Sequence, residues 1–196
     1  MLVPVLADDL ATATDSELVL RCQRGDRYSF QILYRRYHKR VRSTLYQLCG
    51  ATILDDLMQE VFLRVWKSLP TLRQASNFST WLYRISWNVA SDQRRKFART
   101  KQEQLCLEDQ ETISSNISAQ ENTPDLMQLY YQDLVQQGLQ VLKFDQRVVL
   151  VLHDLEDVPQ KEVAKILGIP VGTVKSRLFH ARASLRKFLQ QQGEQL

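Results

Sequence analysis

Residues 158–188 read VPQKEVAKILGIPVGTVKSRLFHARASLRKF and carry the most specific local pattern of the chain. Pro159 suits the first turn of a short helix, because the backbone donor that proline lacks is unused there, and Gly168 suits its exit. A turn is predicted at 169–172, and a longer helix from near 173 to about 190. Two helices joined in this way, with a small alanine inside the first, form a helix-turn-helix that places its second helix in DNA.

The second helix of this motif is predicted to have an apolar face and a basic face. The apolar positions recur at helical spacing and are Val174, Leu178, Ala181, Leu185 and Phe188. The neighbouring basic stripe is formed by Lys175, Phe179, Arg182 and Arg186, with Ser176, His180 and Lys187 beside it. A solvated basic helix is the alternative interpretation. Residues 171–192 contain five Lys or Arg and no Asp or Glu, and this one-sided charge favours DNA binding. An exposed Phe179 suits contact with a thymine methyl group or a sugar.

Composition narrows the class of protein. The chain has 196 residues, a formal net charge of +4 and an isoelectric point near 9.0, which weakly indicates a polyanionic partner. The three cysteines are widely spaced without a Cys-x-x-Cys pair, so we expect reduced thiols and no zinc site. The apolar start is short, contains Pro4 and runs into Asp8, so neither a signal peptide nor membrane insertion is predicted. The expected location is the cytoplasm.

The N-terminal part of the chain predicts a series of helices. Thr14 and Glu17 have the spacing of a capping box, and Gly25-Asp26 separates a first helix from a second that stops near Gly50. The third helix has an unbroken apolar stripe at Leu54, Leu57, Met58, Val61, Phe62, Val65 and Trp66. A fourth helix is predicted at about 78–101, with a strongly basic end.

Composition changes abruptly after this basic end. No Lys or Arg occurs between residues 102 and 142, whereas acidic residues recur, so an acidic linker, flexible when free, is predicted at 100–125. In the block that follows, the apolar run 148–152 fits a strand or a buried helix by periodicity, and its helical surroundings favour the helix. The predicted fold is all-α, with two small helical domains. The expected divisions are a tail at 1–13, a domain at 14–99, the linker at 100–125 and a domain at 126–192.

Two candidate binding surfaces lie in the first domain. Asp56, Gln59 and Glu60 share a polar face of the third helix, for which a solvated surface is the alternative interpretation. The fourth helix mixes aromatic and basic residues, a combination that suits unstacked bases, although an aromatic core with surface cations is the alternative. Helical phase places Trp81 in the core. The packing pattern explains three residues of this helix less well, namely Tyr83, Trp87 and Asn88.

Three motifs in order along the chain resemble the extracytoplasmic-function sigma factors of bacterial RNA polymerase. They are DLMQEVFLRVW at 56–66, FSTWLYRISWN at 78–88 and IPVGTVKSR at 169–177. The resemblance covers nearly the whole chain, and three motifs at the family's spacing are highly specific. It implies that the first domain resembles sigma domain 2 and the second resembles sigma domain 4. It also implies that the acidic linker takes the place of the segment that passes the active site and RNA exit channel.

The resemblance also implies roles for individual residues. Positions that dock on the clamp helices of the polymerase β′ subunit correspond to Asp56, Gln59 and Glu60. Asn88, beside Trp87, corresponds to a family position in the loop before the basic segment. That position helps to read the −10 element as single-stranded DNA. The basic region near that DNA corresponds to Arg94, Arg95 and Arg99. Recognition-helix positions at the −35 element correspond to Lys175, Ser176, Phe179 and His180, with a phosphate contact at Arg177.

The implied partners are core RNA polymerase, through the β′ clamp helices and the β flap, and promoter DNA. A monomer is expected in the holoenzyme. An antagonist anti-sigma factor is common in the family, and no residue here identifies one. Two positions depart from the family pattern. His180 stands where arginine is frequent, which puts a bidentate guanine contact in doubt. Pro159 replaces a frequent serine at the start of the first helix of the motif.

The sequence thus predicts a sigma factor that binds core polymerase, recognises −35 and −10 elements and initiates melting. The alternative is a helix-turn-helix regulator that binds duplex DNA without joining polymerase, which would not need the Asp56–Glu60 face. An enzyme has little support, because the chain lacks a phosphate-binding glycine loop, a metal cluster and a nucleophile motif. We therefore expect no catalytic residue, no metal and no cofactor.

Overall fold

The computed structural model describes residues 12–105 and 126–193, and these two ranges contain helices and turns without a strand. The described part of the first block has four main α-helices: α1 (Asp15–Gln23), α2 (Arg27–Cys49), α3 (Leu54–Ser68) and α4 (Phe78–Leu105). Two short 3₁₀ turns, Leu69–Thr71 and Ala75–Asn77, lie between α3 and α4. Helix α4 therefore continues through residues 100–105, where the linker was expected to begin. The predicted tail up to residue 11 and the predicted linker from 106 to 125 lie outside the described residues.

Side-chain caps explain where the first two helices begin. The Glu17 amide donates to Thr14 Oγ1 at 3.3 Å, and the Thr14 amide donates to Glu17 Oε2 at 2.8 Å, which confirms the predicted capping box. Asp26 caps α2, because its carboxylate accepts hydrogen bonds from the amides of Tyr28 and Ser29 at 2.9 and 3.3 Å. The Ser29 hydroxyl donates to the same carboxylate at 2.7 Å. These bonds satisfy donors that the first turn leaves unpaired.

The apolar stripe of α3 packs in the core of the first block as the pattern predicts, except at its last position. Leu57, Val61 and Val65 are at most 4% exposed. Trp66, however, is 37% exposed and meets Phe30 of α2 edge-on, with ring centroids 4.8 Å apart. Trp66 thus continues the apolar stripe but lies at the rim of the core, against Phe30.

The second block has four helices that follow the predicted order: α5 (Leu126–Gln140), α6 (Phe144–Leu150), α7 (Gln160–Leu167) and α8 (Val171–Gly193). A π-helical turn, Val151–Leu155, continues α6, so the ambiguous apolar run is a buried helix as expected. Gly168 ends α7 at a φ of 66°, which glycine adopts without strain. The turn of the motif is shorter than predicted. The amides of Thr173 and Val174 already bond to the Pro170 carbonyl at 3.0 and 3.2 Å, so α8 starts at Val171.

One face of α4 contacts the second block, and this contact was not predicted. Thr80 Oγ1 donates to Glu162 Oε2 at 3.2 Å, and Tyr83 Oη donates to Glu156 Oε2 at 3.2 Å. Arg84 donates to the carbonyls of Lys165 and Ile166 in the last turn of α7, where a cation suits the helix dipole. Further along α4, Trp87 and Arg94 meet Phe144. The contacting side chains follow helical spacing and are termed the closed face: Thr80, Tyr83, Arg84, Trp87 and Arg94.

Helix α2 adds contacts to the second block through its C-terminal carbonyls. Gln136 Nε2 donates to the Tyr46 carbonyl at 3.2 Å, and Arg147 Nη1 donates to the Leu48 carbonyl at 3.1 Å. The last carbonyls of a helix lack partners within it, so side chains from another element stabilise them. Polar contacts to the ends of α2 and α7 thus add to the apolar packing that joins the blocks.

Glu156 is the most deeply buried charged side chain of this contact, with 8% exposure. Burial raises the pKa of the Glu156 carboxyl, because it disfavours the charged form. Hydrogen bonds from Tyr83 and Thr44 and the charge of Arg40, whose Nε lies 3.7 Å from Glu156 Oε2, act in the opposite direction. Ionised Glu156 thus weakens the packing in which it takes part.

Asp26→Ala is expected to destabilise the protein by about 1 kcal/mol, the usual cost of losing an N-cap. Denaturant unfolding measures the loss. Asp26→Asn is the matched control, since it keeps an acceptor and should lose less. Hydrogen bonding to Ser29 lowers the pKa of Asp26, so the carboxylate's contribution is present above its ordinary pKa and is lost as pH falls. A cost of Asp26→Ala that stayed constant down to acidic pH would contradict this assignment.

Glu156→Gln is expected to reduce the loss of stability as pH rises above the ordinary pKa of a glutamate. A carboxyl whose folded pKa is raised binds its proton more tightly in the folded state, so stability falls as pH passes through the folded pKa. Glutamine resembles the protonated carboxyl and does not titrate, so the variant loses this dependence of stability on pH. Thermal unfolding of parent and variant across this pH range measures the difference. Parallel curves for the two proteins would contradict a raised pKa at Glu156.

Candidate nucleic-acid and protein interfaces

The predicted docking residues Asp56, Gln59 and Glu60 are all exposed on α3. Glu60 Oε1 accepts a hydrogen bond from Arg64 Nε at 2.6 Å, and Arg64 Nη1 also donates to Asp92 of α4 at 3.0 Å. Such exposed ion pairs contribute little to stability. Arg64 nevertheless links α3 to α4 through Asp92 and orients the Glu60 carboxylate. The structure thus brings the three residues together on one accessible side of the first block.

An apolar groove that the sequence did not suggest lies beside this polar face. It has a volume of about 500 Å³, runs between α2 and α3, and includes Gln59 in its lining. Its wall contains Tyr34, Leu63 and Trp66, which are 42%, 44% and 37% exposed. Exposed aromatic and aliphatic side chains rimmed by polar ones are typical of protein-binding surfaces. The signal in the sequence was Leu63, which lies off the buried stripe of α3.

The residues predicted to meet the −10 strand lie along α4. Asn88 is exposed in the middle of this helix, so its expected position in a loop is wrong: the backbone remains helical from Phe78 to Leu105. Trp87 is half-buried and stacks on Phe144, with centroids 5.4 Å apart and an interplanar angle of 24°. Tyr83, which local packing did not explain, is 6% exposed, because it is covered by the second block.

The basic end of α4 is accessible to solvent. Arg94, Arg95 and Arg99 are exposed, and Arg95 Nη2 donates to Asp92 Oδ1 at 3.0 Å. The Arg94 guanidinium carbon lies 4.5 Å from the centroid of the Phe144 ring, a cation–π contact. This end of the helix therefore presents a positive surface next to the Trp87 ring.

Helix α8 presents most of its predicted recognition residues to solvent. Lys175, Ser176, Phe179 and His180 are exposed, and Phe179, at 70%, meets His180 edge-on. Arg177 is only 29% exposed and donates to Asp145 Oδ2 at 2.7 Å. A groove of about 410 Å³ beside Phe179 is lined by basic and apolar residues of the same helix and by Gln160 of α7. An exposed aromatic ring next to cations suits a DNA groove better than a protein core.

No cluster of His, Cys, Asp or Glu suited to a metal ion occurs in the part of the chain that the structure describes. Within that part, no helix combines the length and the apolar character that crossing a bilayer requires. Cys22 and Cys49 are free thiols, and burial raises the pKa of each to about 11, which keeps both protonated. Cys106 lies outside the described residues.

Comparison with known proteins gives matches over both blocks. The family model for Sigma-70 region 2 matches residues 33–100, and that for Sigma-70, region 4 matches residues 132–185. The ECF RNA polymerase sigma-E factor of Haemophilus influenzae is 31% identical over 181 residues, which cover 90% of this chain and 96% of that protein. The sigma-E factor of Escherichia coli K12 is 32% identical over 178 residues, covering 88% and 92%.

Two solved structures have a similar fold. The sigma factor RpoE in complex with the anti-sigma factor NepR from Bartonella quintana matches with a TM-score of 0.67 and 26% identity, over 82% of this chain and 96% of that chain. CnrH in complex with the cytosolic domain of CnrY matches with a TM-score of 0.68 over 90% and 97% of the two chains. At 24% identity, the second shows the fold alone.

Sigma factors are initiation factors that work with core RNA polymerase and promoter DNA. The matches span both blocks, so they support this function and not that of a regulator that acts without polymerase. The chain belongs to the ECF family of RNA polymerase sigma factors.

Proposed function

We propose that the chain divides promoter recognition between residues 14–99, as sigma domain 2, and residues 126–192, as sigma domain 4. The linker at 100–125 connects them, and its residues 100–105 extend α4. The observation that carries this proposal is the exposed Asp56–Glu60 face beside an apolar groove. A regulator that only bound duplex DNA would not need it. The chain would act in the cytoplasm, as a monomer in the holoenzyme, without catalytic residue, metal or cofactor.

The α2–α3 surface is proposed to dock on the β′ clamp helices. Gln59 connects the polar face to the apolar groove, so a partner helix would fill the groove and hydrogen-bond at its edge. Asp56 and Glu60 add negative charge that favours a basic partner surface. The second block would contact the β flap. An anti-sigma factor, of the kind seen with RpoE in the Bartonella complex, is a further proposed partner.

The −10 strand is proposed to bind along α4, at Trp87 and the exposed residues that follow it. Trp87 offers a ring on which an unstacked base packs, and the neighbouring Asn88 amide reaches a base edge. The guanidinium groups of Arg94, Arg95 and Arg99 would neutralise phosphates, which explains the basic end of the helix. These residues capture flipped bases and break no bond.

The −35 element is proposed to lie against α8. Lys175, Ser176 and His180 would approach base edges in the major groove, and Phe179 would contact a thymine methyl group or a sugar. The phosphate contact proposed for Arg177 requires its guanidinium to exchange Asp145 for a phosphate oxygen. Such an exchange keeps the charge paired.

Replacing Gln59 and Glu60 together with alanine is expected to weaken binding to core polymerase about tenfold or more, as truncation at the centre of an interface does. Titration of labelled chain with core enzyme measures the affinity. The matched control replaces Gln132 and Asp133, an amide and a carboxylate exposed on α5. Equal affinities for the two double variants would overturn the docking face. Binding of duplex DNA by the full chain should not change in either.

Asn88→Ala is expected to reduce open-complex formation about fivefold to tenfold, the equivalent of one hydrogen bond to a base. Permanganate reactivity of unpaired thymines measures melting on a promoter that run-off transcription with core polymerase selects from a library. Asn77→Ala is the control, because Asn77 is exposed in the turn before α4. Unaltered melting by the Asn88 variant would remove Asn88 from the site.

A further inference from the structure

The ring of Phe144 occupies the place on Trp87 that the proposed function gives to a promoter base. Its centroid lies 5.4 Å from that of Trp87 at an interplanar angle of 24°, and the Arg94 guanidinium lies 4.5 Å from its centre. A flat ring held between an indole and a cation is also how proteins hold unstacked bases. Phe144 is 9% exposed, so its ring is itself buried in this contact.

We propose that Phe144 is an intramolecular substitute for a −10 base, so that the closed form of the free chain cannot capture single-stranded DNA. Capture requires the closed face to separate from the second block, which withdraws Phe144, uncovers the Trp87 ring and releases the exposed Arg94 guanidinium from its contact with Phe144. This inference rests on the proposed function of Trp87 and Arg94. It adds to that function a competition between DNA and the chain's own second block.

The position of Phe144 depends on contacts that are distant from the ring itself. Phe144 begins α6, and α6 is held against the first block by the bond from Arg147 to the Leu48 carbonyl. At the other end of the closed face, Arg84 is bonded to the carbonyls of Lys165 and Ile166 at the end of α7. Weakening the Arg84 contact therefore loosens the ring contact without altering either ring.

The contact has the character of a reversible one. Its hydrogen bonds can be replaced by water, and buried Glu156 is easier to accommodate when protonated. Polar interfaces between domains of one chain permit relative motion. While the closed form dominates, the apparent affinity for single strands equals the affinity of the open form multiplied by the fraction of molecules that are open.

The closed form covers the stacking ring of one proposed DNA surface, Trp87, and leaves the other surface accessible. Phe179 on α8 is 70% exposed and Lys175 is exposed in the same state that covers Trp87. Opening should therefore change affinity for single strands and leave affinity for duplex DNA unchanged. This difference gives the test an internal control.

The decisive variant is Phe144→Ala in the full chain, assayed by fluorescence anisotropy with short labelled single-stranded DNA of randomised sequence. We expect binding at least about fivefold tighter than that of the parent, the lower end of what one base stacked on an aromatic ring contributes. Affinity for a duplex of the same composition should not change. Combining Trp87→Ala with Phe144→Ala should abolish the gain. A gain that persists without Trp87 would overturn the proposal.

Phe144 is also part of the core, so a second variant guards against misfolding. Arg84→Ala leaves both rings intact and is expected to tighten single-strand binding although it removes a positive charge. Arg24→Ala, an exposed arginine at the end of α1, is the charge-matched control and should not tighten binding. Thermal unfolding checks the fold of each variant. If Phe144→Ala does not fold, the Arg84 comparison decides, and equal affinities for the two arginine variants overturn the proposal.

The failure of this inference differs from the failure of the proposed function. Trp87→Ala in the holoenzyme tests the function, because it should reduce permanganate-detected melting whatever the free chain does. Unchanged melting would remove Trp87 from the −10 site and with it the basis of the inference. If melting falls but neither Phe144→Ala nor Arg84→Ala tightens binding by the free chain, the closed-form competition alone is wrong.

Discussion

Helix α4 is continuous from Phe78 to Leu105, and its periodicity sorts its side chains onto fixed faces. Phe78 and Leu82 point into the core of the first block and are 2% and 1% exposed. The closed face points at the second block, and Asn88 points to solvent. A rigid helix cannot change one face independently of the others. The second block therefore cannot approach or leave without altering the surroundings of Trp87, whose ring is proposed to hold DNA.

The chemistry of the closed face suits this arrangement. An apolar interface would be stabilised by about 25 cal/mol for each Å² buried, and a polymerase would have to overcome all of it. Each hydrogen bond contributes only about 1 kcal/mol net, because water replaces it on separation. The bonds of Tyr83 and Arg84 to the second block are of this kind. Glu156 adds a charged group whose burial is unfavourable. These polar groups add directional contacts to the apolar packing of Trp87 on Phe144, and they lower the cost of separation below that of a wholly apolar contact.

The features that the sequence predicted correctly are local ones. The Thr14–Glu17 capping box, the α3 stripe and the helix-turn-helix depend on residues a few positions apart, and short-range spacing is what a single sequence displays. The three motifs also predicted the family, and the similar proteins confirm that prediction. Residues that depend on distant partners were described less well. Tyr83 and Glu156 are 73 positions apart, and no local pattern indicates that they meet.

Other positions show what spacing along one helix leaves out. The family resemblance implied a loop at Asn88, whereas the helix continues through it. Trp66 lies on the apolar stripe of α3, but helical phase does not say how fully a neighbouring helix covers it. The pairing of Arg177 with Asp145 was not predicted, because it depends on where α6 lies.

The two proposed DNA surfaces differ in how much selectivity each has alone. Duplex reading by α8 depends on base edges in a groove, so an exposed recognition helix discriminates by itself. Stacking on Trp87 does not discriminate between sequences, because every base has a face that stacks. Any single-stranded DNA or RNA in the cell would therefore compete for Trp87. A ring that covers Trp87 until the blocks separate removes that competition. The exposed Phe179 and the covered Trp87 thus match the order of the proposed promoter recognition, in which duplex DNA is bound before its strands open.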